Sequence, residues 1–168
     1  MSLSIYAHSP LQFVRGLQIL SGLLLKGEQF LLEKQLAESV LLEARLAPDM
    51  FPLLRQVQIV SDTAKGAVAR LTGQEIPPMP DDETSFAQLY QRIDKTIAYV
   101  QRFQPTDFAE AEGRKIVLTS KMRDLDFTAE SFLLTFAIPN FYFHLTTAYN
   151  ILRNQGVELG KMDYLGAV

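Results

Sequence analysis

The stretch Ser9-Pro10-Leu11-Gln12-Phe13-Val14-Arg15-Gly16-Leu17-Gln18-Ile19-Leu20, continuing to about Lys34, decides the fold class of this chain. Ser9 offers a capping hydroxyl, Pro10 sits where a first helical residue lacks a partner for its N–H anyway, and Gln12 stands three residues past the cap. That is a capping box with the proline preference of the first turn added. Phe13, Leu17, Leu20, Leu24 and Leu31 then recur at three-, four- and seven-residue spacings, with Gly27 on the same face as a close-packing point. The spacing predicts one long amphipathic helix whose apolar stripe must be covered by other helices.

Working outward, the remaining segments supply those partners. A short helical segment is expected over 39–45, ended by Ala47-Pro48-Asp49, because a residue before proline is pushed out of the α region. Asp49 is the expected cap of a second long helix carrying Leu53, Val57, Val60, Ala64 and Val68 to a stop at Gly73. The run from Gln74 to Glu83, with three prolines and three consecutive acids, reads as an irregular loop. Ser85 and Gln88 form a second capping box before a third helix bearing Phe86, Leu89, Ile93, Ile97 and Val100. Lys115–Thr119 and Met122–Phe127, separated by Ser120-Lys121, can pair as a hairpin. Thr128 can cap a fourth helix through Phe132, Phe136, Phe141, Leu145 and Ile151 to Asn154-Gln155-Gly156, kinked at Pro139. The sum is an all-α, four-helix bundle with a β-hairpin inserted before the last helix, one domain over 1–168. Tyr164 and Leu165 in the polar tail predict that it docks on the bundle.

Composition narrows the function. The 168 residues are 48% hydrophobic and 21% charged, with a formal charge of -3 and no cysteine. An acidic balance gives no general attraction to phosphate backbones, and Arg114, Lys115, Lys121 and Arg123 lack interleaved aromatics, so no nucleic-acid partner is expected. Thiolate chemistry, disulfides and sulfur-ligated zinc are excluded. Neither a secretory leader nor an apolar run of roughly 18–20 residues is present, which predicts a cytoplasmic protein with no membrane partner.

Candidate site residues converge on helix four. His144 shares a face with Asn140, Phe141, Ala148 and Ile151, and so points inward, either as a metal ligand or general base in a bundle cavity or as a neutral core histidine bonded to a polar partner. Asp49 is either a cap or a carboxylate ligand, and Gln56 lies two turns along the same face. With Tyr149, these residues make up the candidate pocket: His144, Asn140, Asp49, Gln56 and Tyr149. His8 is expected in an exposed loop, and Asp62 with Lys65 as a surface or interface ion pair. Phe136, Phe141, Tyr142 and Phe143 crowd around Pro139 in excess of one core stripe, which suggests an outer face for a homodimer contact.

Arg45-Leu46-Ala47-Pro48-Asp49-Met50, Gln56-Val57-Gln58, Ser61-Asp62-Thr63-Ala64-Lys65, the run from Pro139 to Tyr149 and the run from Gly160 to Gly166 together resemble a bacterial family of unknown function in the DinB/YfiT-like metalloenzyme superfamily. The resemblance extends from Tyr6 to Gly166. It implies a dimeric four-helix bundle. Superfamily members that act as metal-dependent thiol transferases or hydrolases carry three histidines, one from the start of helix two and two spaced four apart on helix four. On that pattern His144 takes the first helix-four position, Ala148 the second, and Asp49 or Gln56 the helix-two region. The triad is broken, so no cofactor is expected beyond a weakly held divalent metal on carboxylate and amide oxygens. The leading expectation is a protein that binds a small ligand or partner through a cavity near His144. A metal-dependent transferase or hydrolase, a metal-free enzyme with His144 as base and a structural dimer are the alternatives.

Overall fold

The computed structural model describes residues 4–119 and 124–166. The long first helix forms where the apolar stripe requires it: α2 spans Pro10–Lys34, after a single turn α1, Ile5–His8. Ser9 does not cap it. Because α1 runs directly into α2, the Ser9 hydroxyl donates back to the Ile5 carbonyl at 2.6 Å, and the Gln12 side chain accepts from the Tyr142 hydroxyl at 3.2 Å. His8 ends α1, exposed, with Nδ1 on the Ser4 carbonyl at 2.9 Å.

The next helix, α3, is only Ser39–Leu42, and α4 covers Leu53–Thr72. Pro52, in extended backbone, is its cap residue, which corrects the expectation for Asp49. With no N–H to give and a ψ of 168°, Pro52 ends the loop, so the helix begins three residues later than an Asp49 cap would place it. Asp49 stays exposed in the turn closed by the Met50 N–H on the Ala47 carbonyl at 3.0 Å. Gly73, at φ +70°, ends α4 in the left-handed conformation that lets the Gln74 N–H reach the Ala69 carbonyl at 2.8 Å. Ser85 caps α5, Phe86–Gln101, by accepting from the Gln88 N–H at 3.3 Å, although the Gln88 side chain turns to the Thr84 N–H instead of closing the box.

Strands β1, Lys115–Leu118, and β2, Leu125–Thr128, pair antiparallel with Leu118 opposite Leu125. The Ser120-Lys121 and Met122-Arg123 parts of the expected hairpin lie outside the described residues. Thr128 caps α6, Ala129–Phe132, accepting from the Ser131 N–H at 3.2 Å. Helix four is then interrupted by a π-helical segment, Leu133–Ala137, and resumes as α7, Ile138–Asn154, with Pro139 in its first turn. Proline cannot donate to the carbonyl four residues back, so the ladder widens just ahead of it.

The four long helices of the described residues close a ring in the order α2, α5, α4, α7, each packed on two neighbours. At the α2–α7 contact the rings of Phe13 and Phe141, both fully buried, lie 5.0 Å apart. Gly16 admits that approach, since a Cβ there would stand 2.3 Å from the Phe141 ring, and Gly27 does the same beside Leu152 and Leu41. The tail docks as α8, Lys161–Leu165: Tyr164 bonds Thr146 at 2.7 Å and packs on Tyr149, and Arg15 donates to the Leu165 carbonyl at 2.7 Å.

A buried arginine ties the proline-rich loop to the bundle. Arg92 of α5, 2% exposed, donates to the Pro80 carbonyl and Glu83 and pairs with Asp81 and Asp62, all at 2.8–3.0 Å. Lys65, paired with Asp62 at 3.2 Å, is itself only 4% exposed while Asp62 remains more than one-third exposed, so the pair sits at the edge of the network around Arg92, with its cation buried. Burial alone would disfavour the Arg92 charge, but the Glu83 hydrogen bond and the carboxylates around it outweigh that cost and hold its pKa above the ordinary arginine value. Among the described residues, no helix is long and apolar enough to cross a membrane.

Candidate functional site

Helices α4 and α7 meet along a seam whose polar residues pair in opposite chain order. Gln56 meets His144, and seven residues further along α4, about 10 Å, Thr63 accepts from the Asn140 amide at 2.9 Å. The two helices therefore run antiparallel. His144 is buried, its Nδ1 2.7 Å from the Gln56 Oε1. Gln56 donates its own amide to the Phe51 carbonyl at 2.9 Å, which fixes its oxygen toward the imidazole. The Nδ1 atom therefore carries the proton, and Nε2 presents a lone pair with no protein partner among the described residues. Burial first, and the Arg55 guanidinium second, push the His144 pKa below its ordinary value, so the ring is neutral at pH 7.

That shift has a sign. The unfolded chain takes up a proton near the ordinary histidine value of 6.5 while folded His144 resists it. Stability is therefore full above that value and is lost as the pH falls from it toward the lowered one. An NMR titration of the imidazole is expected to give a midpoint below 6.5, and the His144→Gln variant a shallower loss of stability on acidification. A midpoint at or above the ordinary value would contradict this environment.

Of the five sequence-derived candidates, the structure joins His144 to Gln56 and places Asn140 on the same seam. Asp49 stays in its exposed turn, with no hydrogen bond to either, and Tyr149 packs against the tail through Tyr164. Ala148, one turn beyond His144, is fully buried and offers only a methyl group. Of the aromatic group near Pro139, Phe141 is core, Phe136 and Tyr142 are half-buried, and Phe143 is exposed, with its ring edge-on to His144 at 5.0 Å. These donors do not fit a three-histidine metal centre: one imidazole nitrogen is available, the Gln56 oxygen is already committed, and a guanidinium stands near enough to lower the histidine pKa. No group of three His, Asp or Glu side chains suited to a metal occurs among the described residues.

Sequence reasoning missed a second feature of the seam. Beyond Asn140, where the π segment widens helix four, a cavity of about 380 Å³ opens between α4, the hairpin and Phe132 and Phe136; His144 does not line it. Its one available sequence signal was Pro139, which marks an irregular helix but not a cavity.

Four long helices in a ring with a short hairpin before the last make a DinB-like bundle. The chain belongs to the family described as a domain of unknown function, DUF1993, whose model matches residues 5–165. It is similar to a solved structure described as a DinB family member protein from Shewanella denitrificans, at 46% identity and a TM-score of 0.89, covering 97% of this chain and 92% of that one. No curated protein matches the chain.

Proposed function

We propose that this protein is a cytoplasmic, homodimeric DinB-like bundle whose metal site has degenerated, and that it binds a small ligand or a partner at the surface around His144. The contact between His144 and Gln56 carries this reading. Two residues at positions where the superfamily resemblance puts metal ligands are turned toward each other, and the third position is Ala148. A neutral imidazole with a bare Nε2 is a hydrogen-bond acceptor for a ligand, and the exposed ring of Phe143 flanks it with apolar surface. The same Nε2 is the atom a metal-free enzyme would use as a general base, and it is the observation that favours that second reading.

Binding to the native state alone raises stability by mass action. A thermal-shift screen of small molecules is expected to yield a compound that stabilises the native chain and fails to stabilise the His144→Ala variant; equal shifts in both would sink the proposal. Sedimentation at micromolar concentration is expected to give a dimer, weakened in Phe143→Ser. A monomer would remove the dimer from the account.

A further inference from the structure

We infer that the cavity between the hairpin, α4 and the π segment binds a small carboxylate with an apolar body, its charge held by Arg70. This site is separate from the His144 locus and needs neither that residue nor a metal. Arg70 and Asp62 both line the cavity, but their situations differ. Asp62 is already paired with Lys65 and Arg92, whereas Arg70 has no ion pair or side-chain hydrogen bond among the described residues. The Arg70 guanidinium is laid against the helix at Gly66, where a Cβ would stand 2.5 Å from its Nη1, so a glycine one turn back makes room for it. Burial pulls its pKa below the ordinary arginine value, in keeping with a cation partly withdrawn from water and with no counter-ion among the described residues.

The remaining wall is mostly apolar, with Thr63 and Thr119 as its polar members. Phe132 and Phe136 stack at 5.9 Å with an interplanar angle of 20°, and Leu118 and Leu125 face the cavity from the hairpin. Phe136 and Ala137 reach the cavity from the π segment itself, a helix irregularity frequent at functional sites. The volume of about 380 Å³ lies at the small end of the range for organic ligands, roughly 300–1,000 Å³. One guanidinium suits one carboxylate, which it can hold through two parallel N–H donors. A bare dianion such as phosphate would leave the aromatic wall unused and would bring more negative charge than one carboxylate into a cavity that Asp62 also lines.

The test uses the full chain titrated with octanoate and 3-phenylpropanoate, with their neutral alcohols and inorganic phosphate as comparisons, followed by amide NMR shifts and calorimetry. Saturable binding of the carboxylates is expected, with the shifts centred on Thr63, Ala67, Leu118 and Ala137. The alcohols and phosphate are expected to bind at least about tenfold more weakly, the factor set by one charged hydrogen-bonded pair. Arg70→Gln should weaken carboxylate binding by about the same factor, and Leu118→Asp should abolish it from the opposite wall by placing a second negative charge there. The two variants act independently, so either one, folded, decides the matter. Unchanged affinity in a folded variant, shifts centred elsewhere, alcohols binding as well as acids, or phosphate binding as well as octanoate would each overturn the inference. A failed metal or ligand experiment at His144 would leave it standing.

Discussion

Arg92→Met is expected to lower the unfolding free energy by about 3 kcal/mol, toward the low end of the range for breaking a buried ion pair. The side chain is 2% exposed and satisfies Glu83, Asp81, Asp62 and the Pro80 carbonyl at once. Methionine keeps the apolar stem but removes the cation the three carboxylates share; Asp62 retains Lys65 and Asp81 retains Arg55, while Glu83 keeps no ion-pair partner among the described residues. Asp62 and Asp81 are more than one-third exposed and can recover water, so the largest cost falls on Glu83, only 8% exposed. Glu83 also gives the network a pH dependence. Burial raises its pKa, but the hydrogen bonds from Arg92 and Gln58 reverse that and hold it below the usual carboxylate value. Its contribution is therefore complete above the unfolded carboxylate pKa and disappears as the pH falls through the lowered one. Urea denaturation of Arg92→Met should show the destabilisation at neutral pH and a smaller gap from the native chain in acid. A loss below about 1 kcal/mol, the range of exposed pairs, would mean that water already reaches the network.

Phe141→Ala is expected to cost about 3–5 kcal/mol, the transfer term of a buried ring plus the cavity it leaves. Its ring fills the space between Phe13 and Gly16 at the α2–α7 contact. Gly16→Ala attacks the same contact from the other side. Alanine favours a helix, yet its Cβ would meet the Phe141 ring at 2.3 Å, so overpacking should outweigh propensity and destabilise by about 1–3 kcal/mol. The informative result is the combination. In the Phe141→Ala background, Gly16→Ala is expected to become neutral or stabilising, a coupling of the size found for residues in direct contact. Additive effects in denaturant melts would show that the two helices do not approach each other through this pair.

What was legible in the sequence follows from the range of the interactions involved. The stripe of α2, the Ser85 and Thr128 caps and the Gly73 stop are local patterns, and each stands where its chemistry requires. The Asp49 cap failed on a local competition, because Pro52 could only serve as the last extended residue before α4. Ser9 failed because the residues ahead of it were already helical. Arg92 looked like one more charge on an amphipathic helix; its partners stand nine to thirty positions away, across a loop with no periodicity to read. The seam was partly legible. Helical spacing placed His144 with Asn140 and placed Gln56 on its own face, but their meeting spans 88 positions and depends on how α4 crosses α7. The cavity depends on a π segment, and a five-residue widening of a helix leaves no apolar pattern of its own.

The central claim is that the residues at the superfamily's metal position no longer make a metal site. Elemental analysis of tag-free protein, purified without chelator and compared with His144→Ala, tests it most directly. The account predicts sub-stoichiometric transition metal, equal in both proteins. Near-stoichiometric metal in the native chain that is lost in His144→Ala would contradict it and would mean that His144 still anchors a working centre.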